Sequence, residues 1–376
     1  MASNVYKAGI IGYGTSANVF HIPFLTASPS FKVHGIVQRS GDTAKEAHPE
    51  SVIYRSADEL LHDKDIDLVV LCTPVETHFA MAQRALNAGK HVVVEKPFCP
   101  TSEECDQLIE LAKSQRKLLT VFQNRRWDVE FLTLQKVIAE GHLGRVLEFS
   151  SHYDLYLKDL PGFWPSMVTQ PGGGLLYGLG THIIDQALVL FGLPSKITGI
   201  LQSQHATGMD DAFTVLFQYA NGVLVTLKSS LLSAENEQLR FWIRGDRGSY
   251  KKHHIDPQEP QINAGMKLDD PEFGKEDESK FGVLNVGAEP DPEAAQARFE
   301  SGKLNKSVYP NVTPQTYLKF YELLAAAMDG KGEVPVKPED ARNGIRLVEL
   351  AKASFEQGVT LSVRLIGNDV GECNFQ

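Results

Sequence analysis

Three stretches of this chain carry residue types at spacings that could do chemistry, and the first is Glu95-Lys96-Pro97 at the end of His91-Val92-Val93-Val94. Three consecutive valines predict a strand covered on both faces, as in a parallel sheet between helices. Ligands of open α/β sheets bind outside the carboxyl ends of the strands, so Glu95 and Lys96 fall where reactions are usually done. Pro97 biases Lys96 toward an extended conformation and ends the ladder. Partial burial disfavours a charged lysine, which moves its pKa toward the working pH and suits it to general acid and base catalysis. A solvated Glu-Lys pair at a strand end is the alternative, and the stretches around it decide between the two.

The second is Gly12-Tyr13-Gly14-Thr15-Ser16-Ala17, directly after the apolar run Tyr6 to Ile11. This is the G-x-G-x-x-A form of a dinucleotide fingerprint: Gly12 for the tight turn, Gly14 for close approach to a pyrophosphate, Ala17 for close packing of the helix that follows. An NAD site would present a carboxylate after the next strand, Val33 to Gln38. This chain reads Gln38-Arg39-Ser40-Gly41, so a guanidinium and a hydroxyl are available for a 2′-phosphate and NADP(H) is the expected cofactor. His21, further along, reads as structural.

The third lies beyond Pro171-Gly172-Gly173-Gly174, a predicted hinge. An apolar period through Ala187, Leu188 and Phe191 puts His182 on a core helix with Asp185 three residues on, on the same face and able to interact with it. A proton-transfer or substrate-orienting role is expected for the pair. Gln123-Asn124-Arg125-Arg126-Trp127 adds cations just past a strand end, where Arg125 or Arg126 could hold a phosphate or a polyol oxygen; Arg126 is placed with the cofactor. Asp128 is expected to cap the next helix. No residues are assigned to a metal.

Alternating strands and helices through Phe122, with capping boxes at Ser56-Ala57-Asp58-Glu59 and Thr101-Ser102-Glu103-Glu104, predict an α/β fold opening with a doubly wound parallel sheet. Residues 1–123 are the expected dinucleotide-binding domain. Residues 124–376 are the expected substrate-binding and oligomerisation domain, α+β, with a large open and mainly antiparallel sheet that could pair subunits into a homodimer or homotetramer. Asn221-Gly222 predicts a hairpin turn. Lys252 to Tyr309, rich in Asp, Glu, Pro and Gly, is expected as a long surface loop, with the acid run Asp269 to Glu278 as a solvated face.

The length of 376 residues suits about two or three domains. A formal net charge of −10 without a basic block argues against nucleic-acid and membrane partners and for small molecules. Cys72, Cys99, Cys105 and Cys373 show no C-x-x-C spacing and read as reduced thiols. With the first strand within a few residues of Met1 and no membrane-length apolar run, the expected location is the cytoplasm.

Taken in order, G-Y-G-T-S-A, G-K-H-V-V-V-E-K-P, N-R-R-W-D and G-G-G-x-L-Y-x-L-G-x-H-I-I-D-Q-A resemble the Gfo/Idh/MocA oxidoreductase family across essentially the whole chain. The branch most similar is that of NADP-dependent scyllo-inositol dehydrogenase-like proteins, which share N-R-R-W-D and the Gly-Ser-Tyr-Lys strand before Asp256-Pro257-Gln258-Glu259. The resemblance implies that Lys96 assists proton transfer from a substrate hydroxyl while a hydride moves to nicotinamide, and that His182 lies beside the reacting carbon. It implies that Thr73, Pro74, His78, Glu95 and Asn124 line the cofactor crevice. Two departures stand out: Gly178 replaces the aspartate usual four residues before the histidine, and Leu155 and Leu157 stand where the branch tends to carry arginines. The expected function is an NADP-dependent dehydrogenase or reductase for a polyol or sugar. The alternative is a catalytically idle NADP-binding regulator on the same fold.

Overall fold

The computed structural model describes residues 4–160, 170–287 and 303–364. The first half forms six short strands: β1 (Tyr6–Ile11), β2 (Phe31–Val37), β3 (Val52–Tyr54), β4 (Leu68–Leu71), β5 (His91–Val94) and β6 (Leu119–Val121). All pair in parallel in the order β3-β2-β1-β4-β5-β6, so the direction of winding reverses between β1 and β4. Every residue of β4 is buried, as its unbroken apolar sequence requires of a strand between two helical layers.

Local signals act where the chain places them, with one change. Thr101 accepts from Glu104 N while Glu104 accepts from Thr101 N, a full capping box for the Ser102–Gln115 helix. Ser56 accepts from Glu59 N, but Glu59 reaches back to Arg55 N instead of the capping residue, so the second box is half formed.

The second sheet has nine strands: β7 (Val146–His152), β8 (Lys196–Gln202), β9 (Ala212–Gln218), β10 (Leu224–Ser230), β11 (Leu239–Gly245), β12 (Gly248–His253), β13 (Gly282–Gly287), β14 (Leu304–Tyr309) and β15 (Leu361–Ser362). Their order is β14-β13-β12-β11-β7-β10-β9-β8-β15, with only β7 and β10 parallel. Gly222 takes φ 87° in the β9–β10 turn. The helices Thr181–Phe191 and Pro338–Gln357 cover one face, and at Gly199 a Cβ would lie 2.1 Å from the Ala351 carbonyl oxygen, so only glycine lets that helix sit so close. The other face leaves Ile200 and Trp242 exposed.

The stretch Lys252 to Tyr309 is not a surface loop. It supplies a helix, Gln258–Asn263, and the strands β13 and β14. Residues 288–302 lie outside the described residues. The acid run is not wholly solvated: the Glu276 side chain is 3% exposed and accepts from Lys252 Nζ at 2.8 Å, a pairing between distant positions that composition does not reveal. Asp128 does not cap the Val129–Ala139 helix with its own side chain; Val129 N donates to Asp256 at 2.8 Å, while Asp128 accepts from the Tyr317 hydroxyl at 3.0 Å.

The Leu318–Met328 helix follows β14 of the second sheet in sequence yet packs on the first. Phe320 meets Phe122 edge to face at 4.8 Å, Tyr317 meets Phe24 at 5.6 Å, and Thr120 Oγ1 donates to Val336 O. Cys72, Cys99 and Cys105 are free thiols; Cys373 lies outside the described residues. Among the described residues no helix is long and apolar enough to cross a membrane.

Candidate functional site

The switch between β1 and β4 opens a cleft of about 730 Å³ at the carboxyl ends of the strands, where an α/β sheet binds ligands. Gly12 sits there at φ 103°, with a hypothetical Cβ only 2.5 Å from Cys72 O; Gly14 has open space where its side chain would be. Helix begins at residue 15 and passes through a π turn at Ala17–His21, with Ala17 fully buried against the core. A glycine turn feeding a helix N-terminus beside open space fits a pyrophosphate.

Gly12, Tyr13, Gly14, Arg39, Ser40, Thr73 and Pro74 all line this cleft. Arg39 is exposed and has no recorded partner among the described residues. Two further guanidiniums line the same wall and went unassigned in the sequence. Arg55 donates to Gln38 O and Gly41 O and pairs with Asp42, pinning the loop that holds Arg39; Arg84 pairs with Asp58.

At Cys72 and Thr73 the cleft meets a second cavity, of about 630 Å³, lined by Thr15, Ser16, Glu95, Lys96, Asn124 and His182 among others. Lys96 stands two residues past the end of β5, before a cis bond to Pro97, and its Nζ donates to Gly178 O at 3.0 Å. Burial lowers its pKa from the ordinary lysine value, Arg125 adds to the effect, and Glu95 opposes it. The carbonyl of Gly178 thus stands where the sequence lacks a carboxylate, and a side chain there would meet nothing within 4 Å.

His182 is buried on the Thr181–Phe191 helix, its Nδ1 without a partner among the described residues, its ring stacked at 20° and 6.5 Å from Tyr153. Burial first, then Lys96, Arg125 and Arg240, hold its pKa well below 6.5, so it is a neutral imidazole.

Glu95 accepts from Ser16 Oγ at 2.5 Å, from His21 Nε2 at 2.9 Å and from the Lys96 N–H at 2.9 Å. Burial would raise its pKa, but His21, Lys96 and Ser16 bring it down to about 2, so it is a fixed carboxylate. His21 in turn contacts the Tyr321 hydroxyl at 2.6 Å. Its pKa rises well above 6.5: burial lowers it, and Cys72, Tyr321 and Glu95 more than offset this. His21 is therefore structural in the sense that it anchors the residue before Lys96.

Three assigned residues lie elsewhere. Asp185 does not meet His182; its two carboxylate oxygens accept from Arg126 Nε at 2.8 Å and Nη2 at 2.7 Å. Arg126 lines neither cavity and also pairs with Asp340 at 3.3 Å. The tight 3-10 turn Asn124–Trp127 sends neighbouring side chains in different directions, so Asn124 and Arg125 face the cavity and Arg126 faces the helices behind it. His78 lines neither cavity: its ring nitrogens lie 2.8 Å from Pro97 O and 2.8 Å from Thr73 O, tying two strand-end loops together.

The glycine stretch before His182 is a packed turn. Gly174, at φ 97°, lies against Asp210, and the Asp210 carboxylate accepts from Leu176 N at 2.7 Å. Lining residues that sequence reasoning missed are Tyr153, Glu259 and Asn263. Glu259 ends the D-P-Q-E stretch, the one signal that could have pointed to it.

Residues 6–123 match the family model described as "Oxidoreductase family, NAD-binding Rossmann fold", and residues 131–251 match the "GFO/IDH/MocA C-terminal domain". An oxidoreductase of Schizosaccharomyces pombe is 39% identical over 379 residues, covering 95% of this chain and 99% of that protein. The scyllo-inositol 2-dehydrogenase (NADP(+)) of Bacillus subtilis is 31% identical over 356 residues, 94% of this chain and 95% of that one. The solved structure of the Bacillus subtilis oxidoreductase yvaA superposes with a TM-score of 0.89 at 30% identity, covering 97% of this chain and 100% of the other. With both halves matched, a glycine turn suited to a dinucleotide, and a lysine and histidine lining one cavity beside it, this chain belongs to the Gfo/Idh/MocA family of NAD(P)-binding oxidoreductases.

Proposed function

We propose that this protein is an NADP(H)-dependent dehydrogenase or reductase that moves a hydride between nicotinamide and a secondary hydroxyl or carbonyl of a polyol or sugar. The observation that carries this reading is the shared cavity of Lys96 and His182, which opens onto the nucleotide cleft at Cys72 and Thr73. A bound nicotinamide would supply the hydride acceptor or donor. Lys96, with its lowered pKa, takes the hydroxyl proton in oxidation and returns one in reduction. Neutral His182, whose ring lines the cavity, offers the substrate oxygen a hydrogen bond without adding charge. Glu95, locked by Ser16 and His21, holds the backbone N–H of Lys96 and so its position.

Preference for NADP(H) is supported by Arg39 and Ser40 at the β2 end of the cleft, where no carboxylate stands in the four residues directly after the strand, and by the named cofactor of the Bacillus subtilis relative. The polyol or sugar class is supported by that relative's name and by a cavity that mixes amide, hydroxyl and charged groups with apolar walls.

The test follows NADPH absorbance over a panel of inositols, aldoses and keto-sugars in both directions. Turnover is expected, and its complete absence would favour the idle-regulator alternative. Arg39→Ala should weaken NADPH about tenfold or more while leaving NADH little changed, the scale of a charge-assisted hydrogen bond. Equal loss for both cofactors in calorimetry removes Arg39 from the phosphate site.

A further inference from the structure

The cavity of Lys96 and His182 has a second polar wall beyond those two residues. The Gln258–Asn263 helix places Glu259 and Asn263 four residues apart, hence on one face, and both line the cavity. Glu259 Oε2 accepts from Arg125 Nη2 at 3.0 Å. Arg125 is fixed from behind: its Nη1 donates to Asp128 at 3.3 Å, and its Cζ lies 4.9 Å over the Tyr153 ring. The Arg125 side chain is 6% exposed and that of Glu259 36%, so the guanidinium is the buried anchor and the carboxylate the open end. Among the described residues no group donates to Glu259 Oε1.

A carboxylate only accepts hydrogen bonds. Hydroxyls satisfy it, whereas the carboxylate or phosphate of an acidic substrate is repelled. The charged groups lining the cavity are Lys96 and Arg125 against Glu95 and Glu259, and His182 adds none, so the formal charges already balance. An anionic substrate would bring an uncompensated charge into a partly desolvated site, which is costly. The guanidinium that could have received it is already held by Glu259 and Asp128.

We propose that Glu259 is a specificity-determining residue: it accepts hydrogen bonds from substrate hydroxyls beyond the reacting carbon, and by occupying Arg125 it selects neutral polyhydroxy compounds over sugar acids. Asn263, exposed at the mouth, adds an amide that can both donate to and accept from a further hydroxyl. This rests on the dehydrogenase reading above.

The experiment measures kcat and KM of the full chain with NADP(H) for scyllo-inositol, glucose and glucuronate. Wild type favours the neutral compounds. Glu259→Gln should raise their KM about tenfold, the effect of losing a hydrogen bond to a charged group, with a smaller change in kcat. The same substitution should move the glucuronate-to-glucose ratio of kcat/KM upward by about tenfold or more, because removing the Glu259 charge leaves the cavity with a net positive charge that a substrate carboxylate can compensate. Glu259→Asp keeps the charge and should keep the discrimination. NADPH binding, followed by its fluorescence, shows each variant folded, since Glu259 does not line the nucleotide cleft. An unchanged ratio in Glu259→Gln overturns the inference while the dehydrogenase reading stands. Absence of turnover for every neutral compound in the wild type overturns that reading, and this one with it.

Discussion

Lys96 gains its chemistry from where it stands more than from what it is. Burial lowers its pKa, and the nearest acceptor is the neutral Gly178 carbonyl instead of a carboxylate that would hold the charged form. Lys96→Met should therefore cut hydride transfer by about 10²- to 10⁴-fold while NADPH binding stays nearly intact, checked by single-turnover absorbance and fluorescence titration. Oxidation requires the neutral amine, so in the wild type its rate should climb as pH rises through the lowered lysine pKa; reduction requires the ammonium and should decline over the same range. A profile identical in both directions removes Lys96 from the proton transfer. Asp185 makes a contrasting case. Its carboxylate is spent on Arg126, so Asp185→Asn leaves a half-buried guanidinium with Asp340 as its remaining charged partner and should cost about 1–3 kcal/mol of stability. Chemical denaturation measures this, and a shifted pH–rate profile without loss of stability would return Asp185 to the mechanism.

At the scale of elements, the segment carrying Gly178 and His182 is started by a residue far along the chain. Asp210 accepts from Leu176 N, and its backbone carbonyl accepts from Leu175 N. Asp210→Ala should cost about 1 kcal/mol, the usual value of a lost helix cap, and lower kcat by loosening His182. Burial raises the Asp210 carboxyl from 3.8 to about 6. A raised folded-state pKa means that the stabilising contribution is complete below pH 3.8 and is lost as pH rises through about 6. Asp210→Asn should therefore flatten the dependence of Tm on pH in that window, and an unaltered slope contradicts the assignment.

Over the whole molecule, the described helices cover one face of the nine-stranded sheet. Across the other face run Ser150 and Trp242 opposite each other, and Thr226 opposite Leu216, with Trp242 39% exposed and Ile200 47% exposed. We propose that this open face, where Trp242, Ile200 and Leu216 stand among hydroxyl and charged groups, pairs with a second copy of the chain. Trp242→Glu combined with Ile200→Glu should shift the protein toward monomer in sedimentation velocity without unfolding it, because both side chains point away from the core. A wild type that sediments as a monomer removes the proposal.

What the sequence determined by itself is local or periodic. Unbroken valines at 92–94 specify a strand buried on both sides, Thr101 with Glu104 specifies a helix start, and glycines placed straight after β1 specify a nucleotide turn, because each signal is complete within a few residues. The Lys96 side chain could be placed at a strand end for the same reason. Pairings between distant positions were decided only by tertiary structure. Asp185 and His182 share a helical face in sequence, yet the lower free energy lies in giving Asp185 to the bidentate fork of Arg126. Glu259 comes to the substrate wall because the Gln258–Asn263 helix folds back onto Arg125, 134 residues earlier in the chain. Acid-rich composition around it suggested solvent, but burial of Glu276 on Lys252 and pairing of β13 with β12 and β14 show that composition cannot register long-range partners.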